Sequence, residues 1–267
     1  MKEELKEILS KINEPVKKRL VLREYLQAKI LKYLQEMGVF HSIAFLGGTA
    51  LRFLYSLKRF SEDLDFAVIN GEKPEFEKIV RKISAKFELE TYDIEYKIKT
   101  IGNIKSVFFK FKGLLYELNI SSHKNEIISI KVEVDYNPPE GYIVENTIIR
   151  KYFLLNLKHY ELSTLFAGKL NAILTREYTK GRDIYDLFWY LTNNERVIPN
   201  FRFLNNALIQ FNYSKKIGPN NWKAVLSDKI KELEWKSIIN EIHPFIEDTS
   251  EISLITKENL LKLIKNY

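Results

Sequence analysis

Apolar positions first recur at helical steps, then alternate as in strands, then return to helical steps for the remainder of the chain. Between Val16 and Met37, residues Leu20, Leu22, Leu26, Ile30, Leu31 and Leu34 recur every three to four positions, so residues 1–38 read as helical. Pro15 suits a first helical turn and Gly38 a stop. The run His41–Leu46 predicts a buried strand that Gly47 and Gly48 break. A short helix is expected over Thr49–Leu57, a strand over Asp63–Ile69 and a helix over Lys73–Phe87. Leu89–Lys99, Ser106–Lys112 and Ile127–Tyr136 have strand character. In the last of these, Ile128, Ile130, Val132 and Val134 face one way while Ser129, Lys131, Glu133 and Asp135 face the other.

The string Asn137-Pro138-Pro139-Glu140-Gly141 ends that strand. Helical patterns follow over about 161–178, 182–193, 200–211, 226–246 and 256–265. Strands followed by a run of helices predict an α+β protein. The expected division is an α/β core with a mixed sheet and a helical lead-in over 1–160, then an all-helical domain over 161–267 that closes a nucleotide cleft.

Composition narrows the chemistry. With no cysteine among 267 residues, disulfides, thiolate metal sites and thiol nucleophiles are excluded. The N-terminal segment is charged throughout, and no apolar run approaches the roughly 20 residues of a membrane span. A soluble, cytoplasmic protein with no membrane partner is therefore expected. The net charge of +7 suits a polyanionic partner such as RNA, although a lysine-rich coding bias gives the same number. His41, His123, His159 and His243 are scattered without metal-ligand spacing, and no Gly-x-x-x-x-Gly-Lys loop is present.

Two constellations carry chemistry. In FLGGTALRFLYSLKRFSEDLDFAV, Gly47 and Gly48 let backbone N–H groups approach a phosphate, and the helix beginning at Thr49 adds its positive end. Asp63 and Asp65 lie two apart on a strand and project from one face. Adjacent carboxylates repel, and a divalent cation with oxygen ligands, Mg²⁺ or Mn²⁺, would compensate them. The alternative is a solvated pair neutralised by Lys58 or Arg59. Ser61, two residues before Asp63, can touch a phosphate or cap the turn, and Arg59 can do the same or stay exposed. In ELSTLFAGKLNAILTREYTKGRDIYDLFWYL, Lys169 falls within an apolar helical stripe and Arg176 lies seven residues on along the same face. The two cations can serve one anion, or Lys169 can snorkel to water. After Gly181 breaks the chain, Asp183 and Asp186 stand three apart near a helix start, where acids also favour the helix dipole.

The order Gly-Gly, helix, Asp-x-Asp resembles the nucleotidyltransferase superfamily. The fuller strings GGTAL…RFSEDLDF and KLNAILTRE…GRDIYDLFWYL resemble the AbiEii toxins of abortive-infection and type IV toxin–antitoxin systems, over about 23–69 and 160–191. The resemblance implies a further acidic metal ligand on a later strand, for which Glu133 is the first choice and Asp135 the second. It also implies that Lys169 contacts the triphosphate and Asp183 belongs to the active centre, with Arg182 and Asp186 in support. Gly47, Gly48, Thr49, Ser61 and Arg176 would bind the nucleotide. The implied substrate is an NTP and the implied acceptor an RNA end, notably the 3′ terminus of tRNA; a cognate antitoxin would be the partner. Nucleotidylation of a protein or small molecule is the alternative enzyme reading, and a catalytically idle nucleotide- or RNA-binding module is the non-enzymatic one. No motif is recognised beyond about residue 195.

Overall fold

The fold is described from a computed structural model, over residues 2–193 and 195–267. It is α+β and divides into two compact units. The first comprises Met1–Leu54, Phe60–Asn137 and Asn146–His159; the second comprises Tyr55–Arg59, Pro138–Glu145 and Tyr160–Tyr267. Two short segments from within the first 160 residues, 55–59 and 138–145, thus pack with the C-terminal helices.

The first unit opens with α1 (Lys2–Ser10) and α2 (Pro15–Glu36), and Gly38 takes a left-handed φ of 69° where the chain leaves α2. Next come β1 (Ile43–Leu46), α3 (Gly47–Tyr55), β2 (Asp63–Val68) and α4 (Phe76–Leu89). A hairpin of β3 (Ile94–Ile101) and β4 (Ile104–Phe111), a short α5 (Leu114–Glu117) and β5 (Ile128–Asp135) complete the run that the hydrophobic pattern predicts. Two strands then occupy a stretch whose pattern gave no strand: β6 (Val144–Lys151) and β7 (Phe153–Tyr160). Their register along the chain is weak because β6 is the edge strand, with exposed Glu145, Asn146, Ile148 and Arg150.

All seven strands form one mixed sheet in the order β3-β4-β5-β2-β1-β7-β6. β1 runs antiparallel to β2 and parallel to β7; β2 runs parallel to β5; β5, β4 and β3 are successively antiparallel. One face carries Phe66, Val107, Phe109, Val132 and Val134, which pack with Leu34 of α2 and Val80 and Ile83 of α4. Burying a side chain of this kind contributes about 1.5–3 kcal/mol, so this face supplies the unit's core. The opposite face of β2 and β5 is therefore left to the alternate residues, which include the candidate acids.

The second unit contains α6 (Leu162–Thr175), α7 (Gly181–Thr192), α8 (Phe201–Gln210), α9 (Trp222–Glu232), α10 (Trp235–Ile242) and α11 (Lys257–Asn266). The pattern predicts one helix over 226–246; the structure has a break at Leu233–Glu234. There the Glu234 carboxylate accepts from the N–H groups of Lys236 and Ser237 and so starts α10 afresh. Phe166, Tyr190, Trp222 and Tyr267 form the aromatic centre of this unit. Among the described residues no helix is long and apolar enough to cross a membrane.

Candidate active site

In the first unit the site is built where β1 hands over to α3. Leu46 at the end of β1 lies opposite Asp65 on β2, so the first turn of α3 meets that carboxylate. Gly47 has φ of +82°, and a Cβ placed on it would collide with Asp65 Oδ2 and lie 3.2 Å from Asp65 Cβ. Glycine is required there on two counts, conformation and space. Thr49 is fully buried, and its hydroxyl donates to the carbonyl of Asp63, which fixes α3 to the start of β2.

Behind the turn, Arg52 of α3 pairs with Glu24 of α2 in a buried ion pair and lies 4.0 Å over the Phe60 ring. Glu24 also accepts from the Tyr152 hydroxyl at 2.9 Å. Gln27 donates to the carbonyl of Ser61 at 3.1 Å, and Arg23 meets Glu62 at 3.1 Å. The loop carrying Ser61 is thus tied to α2. β2 itself begins at Asp63, so strand alternation does not reach Ser61, whose position comes from these loop contacts.

Asp63 and Asp65 alternate with buried Leu64 and Phe66 and remain partly exposed. In the parallel pairing of β2 with β5, Asp63 lies opposite Lys131, Asp65 opposite Glu133 and Ala67 opposite Asp135. Directly paired residues project from the same face. Glu133 is therefore the acid beside Asp65, while Asp135 lies one pair farther along and accepts from the N–H of Asn137 at 2.8 Å. Burial raises the Asp135 carboxyl above its usual range. Lys131 Nζ lies 2.5 Å from Glu133 Oε2. Burial lowers the affinity of Lys131 for its proton, but the bond to Glu133 and the charges of Glu133, Asp63 and Asp65 outweigh it and raise the ammonium above its ordinary value.

Among the described residues no three or more His, Asp or Glu side chains are gathered so that they could hold a metal ion by themselves, and Asp63, Asp65 and Glu133 are not such a group. A cage is not what a nucleotide-bound Mg²⁺ requires. That ion uses one or two protein carboxylates and takes further oxygens from phosphate and water. Asp63 and Asp65, with hard oxygen donors beside the glycine turn, fit that donor set.

The second unit carries its own charged cluster. Asp186 of α7 is 0% exposed and receives Arg59 through two bonds, Nε to Oδ1 at 2.6 Å and Nη2 to Oδ2 at 2.7 Å. Lys169 of α6 lies 2.7 Å from Asp186 and 3.0 Å from Asp183. Arg176, at the C-terminal end of α6, also bonds Asp183. The anion that Lys169 and Arg176 share in the structure is thus Asp183. Arg59 is not exposed but buried, and the fork of its guanidinium matches the Asp186 carboxylate. Burial alone would raise the Asp186 carboxyl, yet Arg59 and Lys169 hold it below the ordinary range. Burial likewise acts to lower Lys169, but Asp186 and Asp183 raise it.

Gly181 opens α7 because a Cβ there would lie 2.5 Å from the Ile238 carbonyl of α10. The next residue, Arg182, has its guanidinium 4.7 Å from the centre of the Phe245 ring. The sequence alone does not identify Arg59 as a member of this cluster. No local signal marks it, because its partner carboxylate lies 127 residues later in the chain.

The family model for the nucleotidyl transferase AbiEii toxin of type IV toxin–antitoxin systems matches residues 29–259. No curated protein matches the sequence significantly. Among solved structures, JHP933 from Helicobacter pylori is similar with a TM-score of 0.57 and 18% identity, covering 92% of this chain and 90% of that one. A candidate nucleotidyltransferase from H. pylori is similar with a TM-score of 0.52 and 20% identity, covering 92% and 95%. At these identities the two structures speak for the fold.

Proposed function

The chain belongs to the AbiEii nucleotidyltransferase toxin family, and we propose that it is a Mg²⁺-dependent enzyme that transfers a nucleotide from an NTP to the 3′ end of an RNA such as tRNA. The observation that carries this reading is the junction of Gly47 with Asp65, beside Glu133 in register. A side-chain-free turn at a helix start, set against paired carboxylates, offers N–H groups to phosphate and oxygen ligands to a cation in one place.

In this reading Asp63 and Asp65 would hold the metal, with Glu133 as the third acid. The bound ion would neutralise charge developing on the phosphate oxygens. Gly47, Gly48 and the first N–H groups of α3 would orient the phosphates, and the Ser61 hydroxyl would add a further contact to them. Reaction is an in-line displacement. The acceptor hydroxyl oxygen bonds to the α-phosphorus and gives up its proton to solvent as the bond from that phosphorus to the α–β bridging oxygen breaks, and pyrophosphate departs with the bridging oxygen.

Lys169 and Asp183 act as positioning residues: their mutual bonds hold Arg176, whose side chain keeps 41% of its surface and can meet an anion. The basic balance of +7 supports a nucleic-acid acceptor. Membership of the type IV toxin–antitoxin family supports a cognate antitoxin as partner.

The test is transfer from each α-³²P-labelled NTP to total tRNA, with Mg²⁺, by wild type and by Asp63→Ala/Asp65→Ala. Label on tRNA that vanishes in the double variant is the expected result. Label that appears on protein and never on RNA would replace the acceptor. No label on any acceptor from the active, antitoxin-free chain would overturn the reading.

A further inference from the structure

We propose that the open face of the β5-β4-β3 sheet is the docking track for a single-stranded polynucleotide whose 3′ end reaches the acids on β2. The inference deepens the function proposed above by naming the surface that takes the acceptor, and it rests on that reading for the direction of the strand.

The track follows from strand register alone. Asp63 pairs with Lys131, Lys131 with Phe108, and Phe108 with Lys97. These four residues form one row across β2, β5, β4 and β3, all projecting from the face opposite the α2–α4 core. The next row is Asp65, Glu133, Ser106 and Lys99. On the other side of Phe108, the row is Ser129, Lys110 and Glu95. Strands lie roughly 4.8 Å apart, so the row from Asp63 to Lys97 spans about 14 Å.

Along that row the chemistry changes in order: carboxylate, ammonium, aromatic ring, ammonium. Lys97 and Lys99 are exposed, Phe108 and Lys110 half-buried. Among the described residues no ion pair forms at Lys97, Lys99 or Lys110. Phe108, half-buried between lysines on this sheet face, offers a ring and ammonium groups side by side, which suits a partner that is both flat and anionic. A nucleic-acid single strand has both properties: bases that stack on the ring and phosphates that meet the ammonium groups. A duplex hides its base faces and would gain only the charge. An acidic protein segment would likewise engage the lysines and ignore the ring.

The experiment uses the full chain in EDTA without NTP, so that binding is read apart from transfer. The probe is a 5′-fluorescein-labelled 12-nucleotide single-stranded RNA, compared with a blunt duplex of the same sequence, by anisotropy across a salt series. Phe108→Ala is expected to weaken single-strand binding roughly fivefold to hundredfold, while Phe108→Tyr keeps it. Lys97→Gln/Lys99→Gln/Lys110→Gln is expected to reduce the log–log salt slope by about 2, at roughly 0.7 per phosphate contact. Unchanged single-strand affinity in folded Phe108→Ala and in the lysine variant would overturn the proposal. So would loss of RNA and polyglutamate binding in equal measure in the lysine variant, with Phe108→Ala indifferent. The two readings fail separately. Wild type that transfers to RNA while the variants keep Kd and KM removes this track and leaves the activity. Variants that lose RNA binding in a chain that labels no acceptor keep the track and remove the activity.

Discussion

Asp63 and Asp65 stand two apart on β2 and stay partly exposed; Asp183 and Asp186 stand three apart on α7 and are 4% and 0% exposed. Both pairs obey the spacing that puts acids on one face of their element. Their surroundings differ. On β2 the neighbours across the sheet are a third carboxylate and one lysine, Glu133 and Lys131. On α7 the neighbours are three cations, Arg59, Lys169 and Arg176, bonded to the two acids through a continuous network. The second pair is satisfied by the fold itself. The first stays partly exposed beside the turn shaped by Gly47. Acid pairs of equal prominence in the sequence thus divide into one left partly exposed beside a glycine turn and one that ties helices together.

The largest test of that division is to remove each pair and measure both activity and stability. Asp63→Ala/Asp65→Ala should lower transfer at least about 10³-fold, the equivalent of roughly 4 kcal/mol of transition-state stabilisation. The same variant should unfold in urea within about 0.5 kcal/mol of wild type, since both side chains are partly exposed. A variant that is inactive because it is unfolded would erase the contrast.

Asp186→Ala should do the opposite. It removes the buried carboxylate that Arg59 and Lys169 share, and breaking a buried pair from one side costs about 3–5 kcal/mol. Urea denaturation reads this directly. A loss under about 1 kcal/mol would show that the network is solvated and not structural. A milder change is expected for Gly47→Ala. Forcing a side chain into a left-handed conformation costs roughly 1–2 kcal/mol, and the Cβ also drives Asp65 aside. Transfer should therefore fall by more than the stability loss accounts for. Parallel losses of activity and stability would mean that Gly47 serves only the turn.

How much of this is written locally in the chain depends on the range of each interaction. The face shared by Asp63 and Asp65, and that shared by Glu133 and Asp135, are readable because alternation is a property of one strand. Which of the latter two sits beside Asp65 is set by β2–β5 register, a pairing of residues 68 apart that no local pattern encodes. Arg59 was open to a phosphate or an exposed role for the same reason: its partner Asp186 is brought to it by tertiary folding. β6 and β7 are not legible locally, because Pro138, Pro139 and Gly141 end the preceding strand and the return that pairs β7 parallel to β1 is a long-range contact. The break before Trp235 is local, but the acidic cap Glu234 is embedded in a helical pattern that continues across it.

The smallest effect, and the one that checks the charges themselves, is the pH dependence of the α6–α7 network. Asp186 is held below the ordinary carboxylate value of about 3.9, so its stabilisation is present above that pH and is lost as pH falls through the lower folded value. Lys169 is held above the ordinary lysine value of about 10.4, so its stabilisation is complete below that pH and is lost as pH rises through the higher folded value. From these two groups, urea stability should have no slope between about pH 5 and 9. An acid decline should steepen below about pH 4, and an alkaline decline above about pH 10.4. Lys169→Met should remove this residue's part of the alkaline decline while keeping the acid limb, because Arg59 still holds Asp186. A slope within the neutral window that disappears in Lys169→Met would mean that a member of the network changes charge there. The buried cluster would then be a titrating site, and the contrast with β2 would no longer be one of a fixed buried network against partly exposed acids.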